Sequence, residues 1–353
     1  MRRGSTSPGR SLRTVHLSDI DYHLPEELIA QSPAEPRDSA RLLVDTGSDP
    51  RHARVSGLVD ILRDGDLLVV NDTRVLPARL MLHRSSGGAA EVFLLESLDD
   101  ASTRWEAMVR PARKLRPGEV LLHDDVPAVR IGPRTAAGDT FEVDLLGDDP
   151  AGVPARIGSV PLPPYIGEPL ADPERYQTVY SREPRSAAAP TAGLHFTPEL
   201  LERLGRNGVG VANVELVVGI DTFKPVTEDD PTRHRIHTER YSVPDSTMTA
   251  VRGARRVVAV GTTAARALES VAATGLTDGR TSLFISRGHR WSTVDLLMTN
   301  FHMPRTTLLL MIDSFVGARW RDLYAEAINE RYRFLSFGDA MLLDRHAGGP
   351  VRV

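Results

Sequence analysis

The stretch RRVVAVGTTAARALESV, residues 255–271, joins a run of apolar, mostly β-branched residues to a helix-forming segment through one glycine and two threonines. This order predicts a buried strand, a tight turn and a helix. The turn Gly261-Thr262-Thr263 would leave backbone N–H groups free at the helix N-terminus, where a carboxylate or a phosphate can bind. Because the turn is neither a P-loop nor a GxGxxG fingerprint, a simple turn capped by threonine accounts for it equally well.

Strand and helix patterns alternate around this stretch. We expect strands at VGVANVELVVG (209–219), LFIS (283–286) and VDLLMTNF (294–301), and helices at DPERYQTVYS (172–181), RTTLLLMIDSFVG (305–317) and WRDLYAEAINERYRF (320–334). Alternation of this kind is typical of an α/β layer architecture, in which helices cover a mainly parallel sheet.

Residues 65–149 have a different pattern, with many short β-rich runs separated by Gly, Asp or Pro and almost no helical periodicity. Such a pattern predicts a small antiparallel barrel or sandwich. We therefore expect an α/β main domain, formed by residues 17–64 and 150–353, that is interrupted by an inserted antiparallel β-barrel domain at 65–149. A disordered basic lead is expected at residues 1–16.

The composition excludes several classes of protein. Of the 353 residues, 41% are hydrophobic and 25% are charged, which is ordinary for a soluble globular protein, and no apolar run is long enough to span a membrane. The absence of cysteine excludes disulfides and thiolate nucleophiles, and with no HExxH motif or HxxxH pair we expect no metal. A net charge of −4 argues against a wholly basic nucleic-acid binder but leaves room for a local basic face. We expect a cytoplasmic protein.

The segment APTAGLHFTPELL, residues 189–201, contains the first candidate site. Thr197 as N-cap and Pro198 at the first helical position place Gly193 and His195 in the loop that leads into a helix N-terminus. Backbone N–H groups are free there, and Gly193 would let a ligand approach the backbone closely. The alternative is a core histidine whose ring bonds a backbone carbonyl.

The segment TNFHMPRTT, residues 299–307, repeats this arrangement of aromatic residue, histidine, proline, threonine and helix. Asn300 adds an amide, and His302 is the second candidate histidine. Because ligands in α/β folds bind at the carboxyl ends of strands, two such segments favour a site more than either does alone. For His302 a core position and a site position are equally supported by the residues.

Basic residues are grouped in several places that could bind phosphate. They are Arg74 and Arg79 in the segment 71–80; Arg110, Arg113, Lys114 and Arg116; Arg233, His234, Arg235, His237 and Arg240; and Arg252, Arg255 and Arg256. Aromatic residues are scarce, so an extended stacking platform is excluded, but a phosphate backbone could still be held. Most such runs are simply solvated faces.

Taken in order, the motifs resemble a known family, the S-adenosylmethionine:tRNA ribosyltransferase-isomerases of queuosine biosynthesis. The resemblance extends from about residue 17 to residue 343 and is carried by PRDSARLLV (36–44), VVNDTRVLPARL (69–80), PLPPYI (161–166), YQTVYS (176–181), APTAGLHFTPELL (189–201), GIDTFKPV (219–226), VAVGTTAARALES (258–270), TNFHMPRTTLLLMIDSFVG (299–317) and YRFLSFGDAMLL (332–343). The family combines an α/β domain with an inserted β-barrel, which agrees with the two domains predicted from the strand and helix patterns.

The resemblance implies the reaction and its partners. The ribosyl unit of the co-substrate S-adenosylmethionine would be transferred to 7-aminomethyl-7-deazaguanine at the tRNA wobble position and isomerised, giving epoxyqueuosine, adenine and methionine. The implied acceptors are tRNAs with a GUN anticodon, those for Asp, Asn, His and Tyr. The resemblance also implies a monomer that uses no metal and does not bind membranes.

The resemblance also implies roles for residues. Removal of a C5′ proton and departure of adenine need a base of near-neutral pKa and an acid, and histidine suits both. The candidates are His195, His302 and Asp221 for catalysis; Gly193, Thr222, Thr262, Thr263 and Asn300 for S-adenosylmethionine; and Arg37, Arg41, Arg74 and Lys224 for tRNA. Among these, Thr262 and Thr263 would hold the methionine carboxylate, and Asn300 the adenine or a ribose hydroxyl.

The chain departs from the family pattern near this expected site. Val217 stands where the family usually has histidine, Asp221 where it has glycine, Ser286-Arg287 where it has Tyr-Pro, and Ala264 where serine is common. Asp221 could act as a new base, bind an amine, or cap a turn. Two further hypotheses therefore stand beside the tRNA enzyme. They are an S-adenosylmethionine-dependent ribosyltransferase with a small-molecule acceptor, and a tRNA-binding protein without catalysis.

Overall fold

The structure is a computed structural model that describes residues 16–136, 138–219, 230 and 238–347. Within these residues the strands are β1 (Arg41–Val44), β2 (Arg51–Arg54), β3 (Asp66–Asn71), β4 (Arg74–Val75), β5 (Arg79–Arg84), β6 (Ala89–Ser97), β7 (Arg104–Arg110), β8 (Val120–His123), β9 (Val126–Arg134), β10 (Phe141–Leu145), β11 (Gly158–Ser159), β12 (Pro184–Ser186), β13 (Gly210–Leu216), β14 (Glu239–Ser242), β15 (Arg256–Val260), β16 (Asp278–Thr281), β17 (Leu296–Asn300) and β18 (Ala340–Asp344). The α-helices are α1 (Val153–Ile157), α2 (Pro198–Arg206), α3 (Asp245–Gly253), α4 (Thr262–Thr274), α5 (Thr307–Val316) and α6 (Trp320–Asn329).

Nine strands in the described part of the chain form one mixed sheet in the order β16-β14-β13-β3-β15-β17-β18-β1-β2. Its centre, β13-β3-β15-β17, is parallel throughout. The strands β3 and β17 are buried at every position, because helices cover both faces of the sheet. Parallel pairing brings the carboxyl ends of these four strands to one edge, which we call the carboxyl edge.

The two faces of this sheet pack against different helices. On one face, Leu200 and Leu204 of α2 share an apolar cluster with Val258 of β15. On the other face, Leu268 of α4 and Leu309 of α5 pack in a cluster with the alternate β15 residues, Val257 among them. The expected α/β main domain is therefore confirmed.

The second large sheet is an antiparallel barrel. Six strands close in the order β5-β6-β7-β10-β9-β8, with β8 pairing back onto β5, and β11 adds to the edge of β5. Alternate residues of β6, such as Val92 and Leu94, point into the barrel and are fully buried. This alternation is what a closed antiparallel barrel requires, and the inserted barrel is confirmed.

The structure differs from the expected start of the insertion at residue 65. Strand β3, which begins at Asp66, belongs to the nine-stranded sheet, and the barrel sheet extends from β5 at Arg79 to β11 at Ser159. The run DLLVV lacks the alternation of a barrel strand because it is buried on both faces. The expected basic lead, except for residue 16, lies outside the described residues.

Two local predictions were wrong. The helix expected at 172–181 is only a 3₁₀ turn, Pro173–Tyr176, capped by the Asp172 carboxylate, which accepts from the Glu174 N–H at 3.0 Å. The strand expected at 283–286 is irregular, because the Arg266 side chain rather than a neighbouring strand donates to the Leu283 carbonyl, at 3.1 Å.

Candidate active site

Three segments meet at the carboxyl edge. The first is the turn after β15, the second is the end of β17, and the third is the 3₁₀ helix Thr191–His195 that leads into α2. Along the chain, β3 is followed in this sheet by β13, which lies beside β3 on the side away from β15. Strand β15 is followed by β17, which lies on the side away from β3. The crevice between β3 and β15 is thus a topological switch point, where α/β folds bind their ligands.

His195 is held in this crevice by the start of α2. The Thr197 hydroxyl accepts from the Leu200 N–H at 3.1 Å, which confirms Thr197 as N-cap and Pro198 as the first helical residue. His195 lies two residues before this cap and is 5% exposed. The position of His195 in the loop before a helix therefore follows from the capping signal in the sequence, whereas its burial depends on tertiary packing.

Asn300, at the end of β17, joins the two predicted segments. Its Nδ2 lies 3.2 Å from His195 Nε2, and its Oδ1 accepts from the Thr191 hydroxyl at 2.9 Å. The same Nδ2 lies 3.5 Å from the Asp339 carbonyl, which can only accept and therefore favours this orientation of the amide. With the amide in this orientation, His195 Nε2 is an acceptor, and the ring proton is assigned to Nδ1.

The environment keeps the His195 ring neutral. Burial, followed by the positive charges of Arg333 and Arg37, lowers its pKa to about 4. The ring is therefore neutral at pH 7. A neutral ring whose Nε2 is occupied by Asn300 is arranged to donate a hydrogen bond from Nδ1.

His302 has a different environment. Its ring Nε2 lies 2.9 Å from the Thr299 hydroxyl. Its backbone N–H donates to Tyr324 Oη at 3.0 Å, and its backbone carbonyl accepts from the Tyr22 hydroxyl. Tyr324 packs edge-on against Tyr22 and against Phe301. Burial alone lowers the pKa of His302 to about 3. Both hydrogen-bond partners of the His302 backbone belong to this aromatic cluster.

Four buried hydroxyls have no hydrogen-bond partner among the described residues, those of Tyr176, Thr178, Tyr180 and Thr263. Three of them lie beside the segment that holds His195: Thr178 and Tyr180 next to Gly193, and Thr263 next to Gly261, which Ala192 also approaches. Leaving a buried polar group unpaired costs about 1–3 kcal/mol, so three together mark a place where a ligand can complete the bonding. Thr263 lies in the first turn of α4, after Gly261, whose φ of +90° suits glycine and closes the expected turn.

Gly193 has a packing role in addition to the ligand contact expected from the sequence. A Cβ at this position would overlap the Tyr180 hydroxyl and come within 2.9 Å of Thr178 Cγ2. The glycine therefore makes room for these two side chains. The pKa of Tyr180 is raised by burial and by the nearby Asp72 carboxylate, so its hydroxyl stays protonated. Sequence reasoning missed Tyr180 because it assigned the segment 172–181 to a helix.

The three described arginines that were expected to bind tRNA are engaged within the protein. Arg37 donates to the carbonyls of Gln177, Leu194 and Glu174 at 2.8, 3.2 and 2.8 Å. Arg41 donates to the Glu330 carbonyl at 2.6 Å and lies over the Tyr332 ring. Arg74 pairs with Glu174 and donates to the Ser181 hydroxyl at 3.1 Å. These contacts hold neighbouring segments of the protein together, and tRNA binding by the three arginines stays a prediction.

Three other expected residues, Asp221, Thr222 and Lys224, lie outside the described residues. The other departures from the family pattern are among the described residues. Arg287 forms a bidentate pair with the buried Asp313 at 3.0 Å on both oxygens. Ala264 is fully buried in α4, and the Val217 N–H donates to the Arg240 carbonyl at 2.9 Å.

Among the described residues, no helix is long and apolar enough to cross a bilayer. No group of three or more His, Cys, Asp or Glu side chains in the same residues is arranged to hold a metal ion.

Comparisons with known proteins agree with the resemblance seen in the sequence. The family described as "Queuosine biosynthesis protein" matches residues 17–343. The S-adenosylmethionine:tRNA ribosyltransferase-isomerase of Symbiobacterium thermophilum is 48% identical over 346 residues, covering 93% of this chain and 100% of that protein, and the one of Rubrobacter xylanophilus is 48% identical over 333 residues, covering 93% and 98%. The crystal structure of S-adenosylmethionine tRNA ribosyltransferase from Thermotoga maritima is 35% identical, with a TM-score of 0.52 over 92% of this chain and 99% of that one. The chain therefore belongs to the queuosine biosynthesis protein family.

Proposed function

We propose that this protein is an S-adenosylmethionine:tRNA ribosyltransferase-isomerase. It transfers the ribosyl unit of S-adenosylmethionine to 7-aminomethyl-7-deazaguanine at the tRNA wobble position and isomerises it, giving epoxyqueuosine, adenine and methionine. The observation that carries the proposal is the hydrogen-bonded chain Thr191–Asn300–His195 at the switch point, beside three buried hydroxyls without partners. The named relatives support the same reaction.

The start of α4 is suited to the methionine carboxylate. Its first intrahelical bond runs from the Ala265 N–H to the Gly261 carbonyl, at 3.2 Å, so the N–H groups of residues 262–264 precede the helical ladder. These donors and the positive end of the helix favour an anion. The Thr263 hydroxyl, which is buried without a partner among the described residues, would add a further hydrogen bond.

His195 is placed to assist the departure of adenine. As electrons from the broken C5′–H bond open the ribose, negative charge develops on the purine, and a donor stabilises it. The Nδ1–H of a neutral His195 supplies that donor, while Asn300 holds the ring from the other side. The amine of the acceptor base then attacks, and methionine leaves as the epoxide closes.

The base that removes the C5′ proton is a separate assignment. His195 Nε2 is occupied by Asn300, and His302 bonds Thr299 within the aromatic cluster, so we assign this step to Asp221, the carboxylate that the sequence places in the GIDTFKPV motif. Asp221→Asn should retain S-adenosylmethionine binding and lose adenine release. Normal turnover by this variant would return the role of base to a histidine.

The proposal also includes the tRNA acceptors, the oligomeric state, the cellular location and the metal requirement. The acceptors are tRNAs with a GUN anticodon, those for Asp, Asn, His and Tyr. The enzyme works as a monomer in the cytoplasm and needs no metal. Activity that survives treatment with a chelator, and one-to-one binding of tRNA in sedimentation, would agree with these statements.

The decisive experiment is mass spectrometry of the reaction with S-adenosylmethionine and tRNA that carries the aminomethyl base. We expect one adenine and one methionine released for each tRNA converted, and no adenine with tRNA that carries guanine at that position. Adenine release with a free amine or free 7-deazapurine instead would identify a small-molecule acceptor. Binding of tRNA with no turnover under either condition would identify a binding protein.

A further inference from the structure

A groove of about 720 Å³ lies between the barrel and the main domain. One wall is the outer face of the strands β5, β6 and β7, and the other is formed by residues 159–164 and 166–169 together with Ala187, Ala188 and Gly219. We call it the outer-barrel groove. Its volume is in the range of sites for small ligands or for one or two nucleotides.

The strand register shows which side chains lie on the outer face of the barrel. Phe93 of β6 pairs laterally with Arg79 of β5 and with Met108 of β7, so the three side chains form a row on the outer face. In the next row Glu91 lies opposite Arg110. Polar residues are expected on the outside of a small barrel, whereas here a half-buried phenylalanine and methionine face the groove. A ring exposed in this way can stack on a flat ligand.

A group of free cations continues from this wall. Arg110 lines the groove at the end of β7, and the turn that follows it carries Arg113 and Lys114, both exposed. In the described part of the chain none of the three forms an ion pair. By contrast, the barrel arginines Arg84 and Arg104 are paired with Glu119 and Glu142. The three free cations, which we call the cationic turn, therefore suit an external anion.

The second wall of the groove continues along the chain into the candidate active site. Ala188, in its second wall, precedes Thr191 by three residues, and Thr191 donates to Asn300. Gly219 follows the carboxyl end of β13, the strand next to β3 in the sheet. A polymer lying in the groove would therefore reach the carboxyl edge at its inner end.

We infer that the outer-barrel groove binds the single-stranded RNA next to the modified nucleotide. The cationic turn contacts phosphates, and Phe93 stacks on an unpaired base. A phosphate backbone matches the unpaired cations, and unstacked bases of RNA loops commonly stack on aromatic rings. This inference rests on the proposed function, because it takes tRNA as the substrate, and it assigns RNA binding to the barrel rather than to Arg37, Arg41 and Arg74.

The test is binding of a fluorescent anticodon stem-loop RNA, measured by anisotropy between 50 and 200 mM salt. For the triple variant Arg110→Gln, Arg113→Gln, Lys114→Gln we expect affinity about tenfold or more weaker at low salt, and a slope of log K against log salt that is smaller by about 2, since each single-strand phosphate contact contributes roughly 0.7. Phe93→Ala should weaken binding roughly 5- to 100-fold without changing the slope, and Phe93→Trp should restore it.

The control is Arg130→Gln, an exposed arginine on β9 that lies outside the groove and pairs with Asp144 at 3.8 Å. It should leave the affinity and the slope unchanged, and none of the variants should alter binding of S-adenosylmethionine. Wild-type affinity and slope in the triple variant, or loss of S-adenosylmethionine binding in Phe93→Ala, would overturn the inference. RNA binding that changes as expected in a protein without turnover would overturn the proposed reaction and leave the groove assignment standing.

Discussion

His195 and His302 lie in similar local sequences, each beside a phenylalanine and before a proline and a helix, yet their surroundings differ. His195 contacts the amide of Asn300 and lies near hydroxyls that lack partners, at the switch point of the sheet. His302 bonds the neighbouring Thr299, and its backbone is held by two tyrosines of an aromatic cluster. Both rings are kept neutral by burial, which lowers the pKa of each.

This difference shows that a repeated motif does not imply a repeated role. The capping signals place each histidine before a helix, but long-range contacts decide what each ring can do. Around His195 the partners leave Nδ1–H to donate and leave unpaired hydroxyls beside it. Around His302, Nε2 contacts the Thr299 hydroxyl, and the backbone N–H and carbonyl bond two tyrosines of the aromatic cluster. We therefore expect catalysis to depend on the first histidine and stability to depend more on the second.

The largest expected effect is that of His195→Gln. Glutamine keeps a polar group near Asn300 but does not reproduce the imidazole Nδ1–H, so kcat for adenine release should fall by about 10²- to 10³-fold, the usual cost of losing one donor that stabilises developing charge. Single-turnover adenine release measures it, with thermal denaturation to show that the variant is folded. A rate above one tenth of wild type would contradict the assigned role.

Asn300→Asp should have the next largest effect. The change replaces an amide donor at His195 Nε2 with a carboxylate acceptor, which favours the imidazolium and raises the His195 pKa from about 4. We expect kcat/KM to fall by roughly 10- to 100-fold and its acidic limb to move to higher pH. The pH–rate profile checks this, and the surface change Asn207→Asp should leave that profile unaltered.

Tyr180→Phe should have a smaller effect, confined to the co-substrate. It removes a buried hydroxyl that has no partner among the described residues, so stability should be kept or slightly increased. The variant should lose a hydrogen bond from this hydroxyl to S-adenosylmethionine. The dissociation constant of the co-substrate should therefore rise roughly 3- to 30-fold, which corresponds to the free energy of one buried hydrogen bond. Tyr165→Phe is the matched control, because it loses a bond to the Ser336 hydroxyl and should lower stability while co-substrate binding is unchanged.

His302→Gln should change activity least and should change the pH dependence of stability. The folded-state pKa is about 3 and the unfolded value about 6.5, so below pH 6.5 the unfolded state binds a proton that the folded state does not. Stability from this group is complete above pH 6.5 and is lost as the pH falls toward 3. The variant should reduce the slope of unfolding free energy against pH by about 1.4 kcal/mol per pH unit between pH 4 and 6. Urea titrations measure this slope, and an unchanged slope would contradict burial of His302.

Local signals in the sequence were sufficient for much of the architecture. Capping residues such as Thr197 and the strand-turn-helix of residues 255–271 depend on neighbours in the chain, and the structure has them as expected. The membership of β3 in the large sheet and the irregular segment at 283–286 depend on distant partners, the neighbouring strands and the Arg266 side chain. These predictions failed because no local pattern records such contacts.

In the candidate site, too, local sequence signals predict individual residues but not the contacts between distant ones. His195 and Asn300 were found because each belongs to a segment with strong local signals. Their contact, the engaged Arg37, and the packing of Tyr180 against Gly193 join residues far apart in sequence. The YQTVYS motif could have pointed to Tyr180, but its spacing resembled a helix, and only the tertiary fold brings its hydroxyl to the crevice.

The most direct test of the central claim is ¹⁵N NMR of the histidine rings during titration with S-adenosylmethionine. The resonances of His195 and His302 can be assigned with the two glutamine variants. We predict that the co-substrate shifts the His195 ring nitrogens, with the ring remaining neutral at pH 7, and leaves those of His302 in place. A shift confined to His302, with His195 unchanged at saturation, would contradict the assignment of the active site.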